Sequence, residues 1–260
     1  MTIQLVLVEP AGPLNVGSVA RLCANFGIDG LRLVAPRCDP LGDEARRMAV
    51  HGVGMLERAP IYPTLAAAIA DCSRVVATSG RGEGEPLPPS PAGAALRWLL
   101  RAHDDASPSQ TSALVFGRED RGLSNDELLQ AGRILQIATG PAYASLNLSH
   151  AVAVVLHELH GCRRQAELVP SSELRGPGGP EDSDAEPCPR GLLEAALADA
   201  EALLLEVGYL YPHTAHARMA KLRGLLQRAQ IRPQEVALLR GMVCQLRWAS
   251  RRPCASGEDH

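Results

Sequence analysis

The chain has 260 residues, a formal net charge of −3, 46% apolar residues and 21% charged residues. This composition excludes disorder of the whole chain, and no apolar run is long enough for a membrane span, so we expect no transmembrane segment. Residues 1–8 lack the basic start and the cleavage pattern of a signal peptide and are predicted as a strand, so we expect a cytoplasmic protein.

The cysteine and histidine patterns do not predict a metal site. The seven cysteines are an odd number, are widely spaced and include no CxxC pair, which favours reduced thiols over a disulfide framework or a zinc site. His157 and His160 are three residues apart, not four as in a helical zinc protease motif. We therefore expect no resident metal.

Residues 1–160 alternate between strand and helix patterns. Strands are predicted at about 3–8, 31–34, 74–78, 113–116 and 134–138. Helices are predicted at about 15–26, from Asp39–Pro40 onward, at 64–71, from Ser90–Pro91 onward, after the capping box of Ser124 and Glu127, and at 146–163. This alternation is typical of an α/β domain with a parallel sheet and helices on both of its faces.

The rest of the chain differs in composition from this domain. Residues 166–190 are rich in proline, glycine and acidic residues and are predicted as a flexible linker. Beyond them only helices are predicted, at about 192–207, 214–230 and 233–249, with Pro233 in a first turn. The domain organisation is thus 1–165, a linker at 166–190, and a small all-helical module at 191–260.

The net charge of −3 conceals a basic segment. Between Tyr209 and Arg252 there are nine basic residues and a single acidic one, Glu235, which gives this segment a net charge of +8. Such a cluster indicates either a phosphate-binding surface or an ordinary solvated helix face. Only eight residues of the chain are aromatic, so it offers few rings on which single-stranded bases could stack.

Three polar turns follow predicted strands and lead into helices. They are Glu9–Arg21, Phe116–Leu123 and Gly140–Ser149. The carboxyl ends of parallel strands share one edge of a sheet, where α/β proteins bind ligands, so the three turns are expected to converge there. Each turn taken alone is also compatible with a plain strand-to-helix connection.

These turns resemble the motifs of a known family. Residues 15–21 (NVGSVAR), 116–128 (FGREDRGLSNDEL) and 145–149 (SLNLS) are similar, in order and spacing, to the three motifs of the SPOUT superfamily of RNA methyltransferases, TrmH branch. Residues 228–242 resemble the C-terminal helices of the TrmJ subfamily. The resemblance implies a C-terminal trefoil knot, binding of S-adenosylmethionine, a homodimer, and methylation of the ribose 2′-hydroxyl of nucleotide 32 in the tRNA anticodon loop.

The resemblance also implies roles for individual residues. The expected cofactor-binding residues are Thr78, Ser79, Gly80, Gly117, Ile137, Ala144, Ser145 and Leu146. The expected catalytic residues are Arg21, Ser145, Asn147 and Glu119. Expected RNA contacts are Arg21 and Arg81, together with the further basic residues Arg118, Arg218, Lys221, Arg223 and Arg228.

The chemistry expected of Arg21 is that of a clamp. An arginine keeps its proton at neutral pH and is a poor base, so we expect it to hold a phosphate and to stabilise negative charge developing on the ribose oxygen. Two alternatives stay open. One is a methyltransferase of the same branch that acts on ribosomal RNA, and the other is a non-catalytic RNA-binding protein on the same scaffold.

Overall fold

The computed structural model describes residues 2–80, 85–101, 111–140, 145–168 and 186–251, the side chains of 167 and 168 excepted. Its sheet has seven strands in the order β3-β2-β1-β6-β4-β7-β5, and every neighbouring pair is parallel. The strands are β1 (Thr2–Val8), β2 (Gly30–Val34), β3 (Ile61–Tyr62), β4 (Cys72–Ser79), β5 (Pro89–Pro91), β6 (Thr111–Phe116) and β7 (Arg133–Gln136).

Helices connect these strands and form the end of the described chain. They are α1 (Pro13–Asn25), α2 (Asp43–Ala49), α3 (Val53–Glu57), α4 (Leu65–Ala68), α5 (Ala92–Leu100), α6 (Asn125–Leu128), α7 (Leu148–Leu168), α8 (Arg190–Glu206), α9 (Pro212–Arg228) and α10 (Pro233–Ser250). A short 3₁₀ turn, Val50–Gly52, joins α2 to α3.

The sheet is buried on both faces because successive strand residues point to opposite sides. In β1, Ile3, Leu5 and Leu7 pack into a core with α1, α2, α3, α5 and α7. Val6 and Val8 of the same strand pack into a second core with α4 and α6. The predicted α/β domain with a parallel sheet and helices on both faces is therefore confirmed.

Local signals predict most elements, but the short edge strand β3 was not predicted and two predicted helix starts near prolines differ from the structure. The capping box is confirmed, since Ser124 Oγ accepts from the backbone N–H of Glu127 and the Glu127 carboxylate accepts from the N–H of Ser124. The predicted helix start at Asp39 is wrong: Asp39 Oδ1 accepts from the N–H of Leu41 in a turn, and α2 begins only at Asp43. Ser90 pairs with β7 in an edge strand, so α5 begins at Ala92.

The three C-terminal helices form a module with its own apolar core, which includes Leu193, Leu197 and Met219. The module contacts the sheet domain directly. The N–H of Gly191 donates to the carbonyl of Ala70 at 2.9 Å, and Trp98 Nε1 donates to Gln230 Oε1 at 3.1 Å. Across the described ranges, no helix combines the length and apolarity needed to cross a membrane.

Candidate functional site: a cavity at the carboxyl edge of the sheet

A cavity of about 270 Å³ opens at the carboxyl ends of β4, β6 and β7. This edge is where open α/β sheets bind ligands, and the volume is close to the lower end of small-molecule sites. The lining residues are Thr78, Ser79, Gly80, Phe116, Gly117, Arg118, Glu119, Asp120, Arg121, Gly122, Leu123, Ile137, Ser145, Leu146, Leu148 and Ala151. The second and third predicted turns therefore line one cavity, and the first turn contacts the second through Glu119, as described below.

The residues that the sequence predicts for cofactor binding meet at this cavity. Those that line it are Thr78, Ser79, Gly80, Gly117, Ile137, Ser145 and Leu146. The remaining one, Ala144, lies outside the described residues, as does Arg81. The Thr78 hydroxyl donates to the carbonyl of Val115 at 3.1 Å, which fixes this side chain against β6.

Gly117 has no room for a side chain. A Cβ atom added there would lie 2.3 Å from the carbonyl carbon of Gly122 and 2.4 Å from the backbone nitrogen of Leu123. The loop from 117 to 123 folds back on itself at this point, closed by the N–H of Gly122 donating to the carbonyl of Arg118 at 3.0 Å. The tight fold presents backbone groups, instead of a side chain, to the cavity.

Glu119 joins the second turn to the first. Its carboxylate accepts from the backbone N–H groups of Ala11, at 3.1 and 3.2 Å, and of Gly12, at 3.0 Å. Glu119 Oε1 also accepts from Asn15 Nδ2 at 3.3 Å. A carboxylate that receives several N–H donors is held firmly in place, so Glu119 fixes the position of the segment that leads into α1.

Asn147 joins the third turn to the same network. Its Nδ2 donates to Asn15 Oδ1 at 3.1 Å, while its Oδ1 accepts from the N–H of Ser149 at 2.9 Å and from the Ser149 hydroxyl at 2.7 Å. The side chain therefore caps the start of α7 and also contacts α1. Asn15 stands between Glu119 and Asn147, and the three side chains connect all three motifs.

The other two predicted catalytic residues occupy different positions. Ser145 lines the cavity and is exposed. Arg21 is exposed on α1, six residues after Asn15, which is about 9 Å farther along the helix axis. Arg21 does not line the cavity, and its side chain makes no hydrogen bond or ion pair within the described part of the chain. Its guanidinium is therefore available for a ligand that extends beyond the cavity.

Arg118 occupies a buried ion-pair network, which argues against the RNA contact expected of it. Its side chain is 9% exposed; it donates to both Glu127 oxygens, at 2.8 and 2.9 Å, and to the Glu9 carboxylate. The hydrogen bond from Arg118 holds the pKa of Glu9 at about 2, with Arg37 contributing on the other side. Burial opposes ionisation of Glu127, yet Arg118 and Ser124 still hold its pKa below the ordinary value.

This network went unpredicted because Glu9 and Glu127 are 118 residues apart in the chain. No spacing rule connects them, and only the neighbouring strand ends of β1 and β6 bring them together. Arg118 is best described as a positioning residue for the cavity loop. The burial and the ion pairs of Arg118 therefore argue for a positioning role over the predicted RNA contact.

The predicted basic residues of the helical module divide into two groups. Arg218, Lys221 and Arg228 are exposed on α9. Arg223 instead donates to both oxygens of Glu194, each at 2.8 Å, and its side chain is only 25% exposed. Arg223 is thus already paired with the Glu194 carboxylate of α8, which argues against the RNA contact expected of Arg223.

Comparisons with known proteins identify the family of both parts of the chain. Residues 2–157 match the model of the SpoU rRNA Methylase family, and residues 193–256 match that of the tRNA methyltransferase TrmJ, C-terminal domain. The first match contains every described cavity residue, and the second contains the three basic residues exposed on α9.

Individual relatives match over nearly the whole chain. The tRNA (cytidine/uridine-2′-O-)-methyltransferase TrmJ of Cronobacter sakazakii is 36% identical over 247 residues, 94% of this chain and 95% of the relative. The tRNA (cytidine/uridine/adenosine-2′-O-)-methyltransferase TrmJ of Pseudomonas aeruginosa is 32% identical over 96% of this chain and 95% of its own length. The crystal structure of TrmJ from Z. mobilis ZM4 superposes with a TM-score of 0.78 and 30% identity, covering 95% of this chain and 99% of that one. The chain therefore belongs to the SpoU rRNA Methylase family, within the group that carries the TrmJ C-terminal domain.

Proposed function

We propose that the protein transfers a methyl group from S-adenosylmethionine to a ribose 2′-hydroxyl of tRNA. The observation that carries the proposal is that the described residues expected to bind the cofactor line one cavity, next to the Glu119–Asn15–Asn147 network. Two relatives that are 36% and 32% identical to this chain, each matched over 95% of its own length, are named as tRNA 2′-O-methyltransferases. A cytoplasmic location agrees with this substrate.

The cavity residues fit the proposed cofactor. Backbone groups of the Gly117 loop and of Ile137 offer uncharged hydrogen-bonding partners of the kind that suit an adenosine. Glu119 and Asp120 line the same cavity, and their negative charge favours a positively charged ligand there. S-adenosylmethionine, when bound, supplies an electrophilic methyl group on a sulfonium centre, a chemistry that needs no metal. In the described part of the chain, no cluster of three or more potential metal-ligating residues occurs.

We assign Arg21 to the RNA. Its guanidinium stays protonated at neutral pH, so it can hold the phosphate beside the target ribose and stabilise negative charge on the 2′-oxygen as the methyl bond forms. The 2′-hydroxyl proton would pass to that phosphate or to a water molecule. Ser145 lies at the cavity itself, while Glu119 and Asn147 hold the two turns that carry these groups.

Replacement of Arg21 by lysine tests the clamp. Arg21→Lys keeps the charge but removes the planar two-pronged donor, so we expect kcat to fall about 10²- to 10³-fold, as for loss of an oxyanion donor, with a small change in tRNA affinity. Arg47→Lys, at another exposed arginine, is the matched control and should keep its activity. Near-normal turnover of Arg21→Lys would disprove the clamp.

We further propose that two copies assemble around the site. The neighbouring helices α1 and α7 expose Leu14 and Val154, and homodimer interfaces are richer in apolar surface than the rest of a protein. A second copy packed on these helices would bury both residues and would bring additional groups close to Arg21. Sedimentation of the wild type and of Val154→Glu tests this: a dimer that dissociates in the variant supports the proposal, and a monomeric wild type contradicts it.

The proposed target is nucleotide 32 of the tRNA anticodon loop. The test incubates the full chain and methyl-labelled S-adenosylmethionine with a tRNA transcript, with a ribosomal RNA fragment or with no RNA. Label in tRNA alone is expected. Label only in the ribosomal fragment would support the ribosomal alternative. Binding of RNA without binding of S-adenosylmethionine in calorimetry would support a non-catalytic scaffold.

A further inference from the structure

Three basic residues of the helical module that have no carboxylate partner in the described ranges lie on one face of α9. Lys221 follows Arg218 by three residues and Arg228 follows Lys221 by seven, so the three side chains share a helix face. All three are exposed, and none forms an ion pair with another residue in the described ranges. We call Arg218, Lys221 and Arg228 the basic ridge.

Helix α10 does not contribute comparable free charge. Arg240 pairs with Asp199 at 3.2 Å, and Arg247 and Arg251 both approach the carboxylate of Glu206, at 3.8 and 3.0 Å. Both carboxylates belong to α8, outside the segment whose net charge is +8. The acidic residues of α8 therefore offset the arginines of α10 and leave the basic ridge as the stronger attraction for an anion.

Two exposed tyrosines precede the basic ridge. Tyr209 is 64% exposed and Tyr211 is 57% exposed, immediately before α9 begins. The Arg218 guanidinium lies 5.8 Å from the centre of the Tyr209 ring, and the Tyr211 ring lies 6.0 Å from that of His213 at an interplanar angle of 21°. These neighbours restrain the rings while leaving much of their surface open to solvent.

Helix α9, which carries the basic ridge, contacts the part of the sheet domain that follows the cavity loop. His216 Nε2, on α9, is 3.2 Å from Asp126 Oδ1, on α6. Farther along α9, Gly224 faces the side chain of Leu129, just after α6. Since α6 directly follows the loop that lines the cavity, a ligand on α9 can extend toward that loop.

We propose that Tyr209 and Tyr211 stack on unpaired bases of the RNA substrate while the basic ridge binds the adjoining phosphates. This inference rests on the proposed function, because it takes the ligand to be RNA, and it assigns to the tyrosines a role that the scarcity of aromatic residues argued against. Open rings beside free cations match the chemistry of unpaired nucleotides, whose bases stack and whose phosphates are anionic. A fully paired helix keeps its bases stacked inside and offers only its phosphates.

The test measures binding of a fluorescent RNA hairpin with a seven-nucleotide loop, and of a loopless duplex of equal charge, to the full chain. Replacing either tyrosine by leucine is expected to weaken hairpin binding by about five- to hundredfold, with little effect on the duplex and no change in the salt dependence. Tyr211→Phe keeps the ring and should bind as the wild type does. Trp248→Leu, at an exposed ring on α10, is the matched control.

Variants of the basic ridge should change RNA binding in a different way from the tyrosine variants. Lys221→Gln or Arg228→Gln is expected to weaken both RNAs alike and to lower the slope of log Kd against log salt by about 0.7 to 0.9 for each phosphate that the variant no longer neutralises. Because all these side chains are exposed, thermal melting should be unchanged. Crosslinking of 4-thiouridine in the hairpin loop to the wild type, mapped by mass spectrometry, should label the peptide that contains Tyr209 and Tyr211.

Several results would overturn the proposal. Unchanged hairpin binding by both leucine variants, equal losses on hairpin and duplex, or crosslinks elsewhere would each exclude stacking on these rings. A shift of the leucine variants to a smaller assembly would show that a second copy of the chain covers the tyrosines. Methylation of tRNA by the wild type is measured in parallel, so failure of the proposed function is distinguishable from failure of this surface.

Discussion

Replacement of Arg118 by methionine separates a structural role from RNA contact. The change removes the donors to Glu9 and Glu127 and leaves two carboxylates, 22% and 15% exposed, without their main cation. Breaking a buried ion pair by removing one partner typically costs about 3–5 kcal/mol. For a chain of this size we expect Tm to fall by roughly 6–20 °C, at about 2–4 °C per kcal/mol.

The assays are calorimetric melting and binding of S-adenosylmethionine and tRNA. Arg118→Met should weaken cofactor binding, because the 117–123 loop loses its anchor, and the salt dependence of tRNA binding should stay unchanged. The double variant Arg118→Met with Glu9→Gln should recover part of the lost stability, since one unpaired charge is gone. Arg47→Met, at an exposed arginine, is the control. A variant that melts like the wild type but has a smaller salt slope would refute the structural role.

Three further predictions concern single residues. Because Arg118 lowers the pKa of Glu9 from 4.5 to about 2, Glu9 contributes stability above pH 4.5 that is lost as the pH falls toward 2. In urea unfolding, the difference in free energy of unfolding between the wild type and Glu9→Gln should shrink over this interval. A constant difference would contradict the prediction. Gly117→Ala should lower the affinity for S-adenosylmethionine at least about tenfold in calorimetry, because the added Cβ would meet Gly122. Gly161→Ala is the control and should bind S-adenosylmethionine like the wild type, because a Cβ there meets no atom within 4 Å. Equal affinities of the two variants would show that the loop adapts. Burial raises the pKa of Cys23 and of Cys72 to about 12, so iodoacetamide at pH 8 should modify exposed Cys244 well before either of them. Equal modification rates of the three cysteines, followed by mass spectrometry, would contradict the burial of Cys23 and Cys72.

The sheet and most of its helices are predictable from local patterns. Alternating apolar residues and capping residues are short-range signals, and the capping box of Ser124 and Glu127 forms as expected. The failures occur where a proline signal competes with tertiary context. Asp39–Pro40 looks like a helix start but forms a turn, and Pro89–Pro91 joins the sheet as an edge strand, where a proline is tolerated.

The cavity is predictable because motif order and sheet topology bring the strand ends together. The ion-pair partners of individual charged side chains are not predictable in this way. Arg118 and Arg223 look like free cations in the sequence, but distant carboxylates, Glu9 and Glu194, occupy them in the fold. A regional net charge likewise cannot show that α8 offsets the arginines of α10. The trefoil knot stays a prediction, since part of the turn between β7 and α7 lies outside the described residues.

The central claim is that this cavity supports methylation of a tRNA ribose, and a nucleoside-resolved mass-spectrometric map tests it most directly. The full chain is incubated with S-adenosylmethionine and either an unmodified tRNA transcript or one with a 2′-deoxy sugar at nucleotide 32. We expect a 2′-O-methyl group at nucleotide 32 of the first RNA and none in the second. Methylation on a base, or equal methylation of both RNAs, would contradict the account.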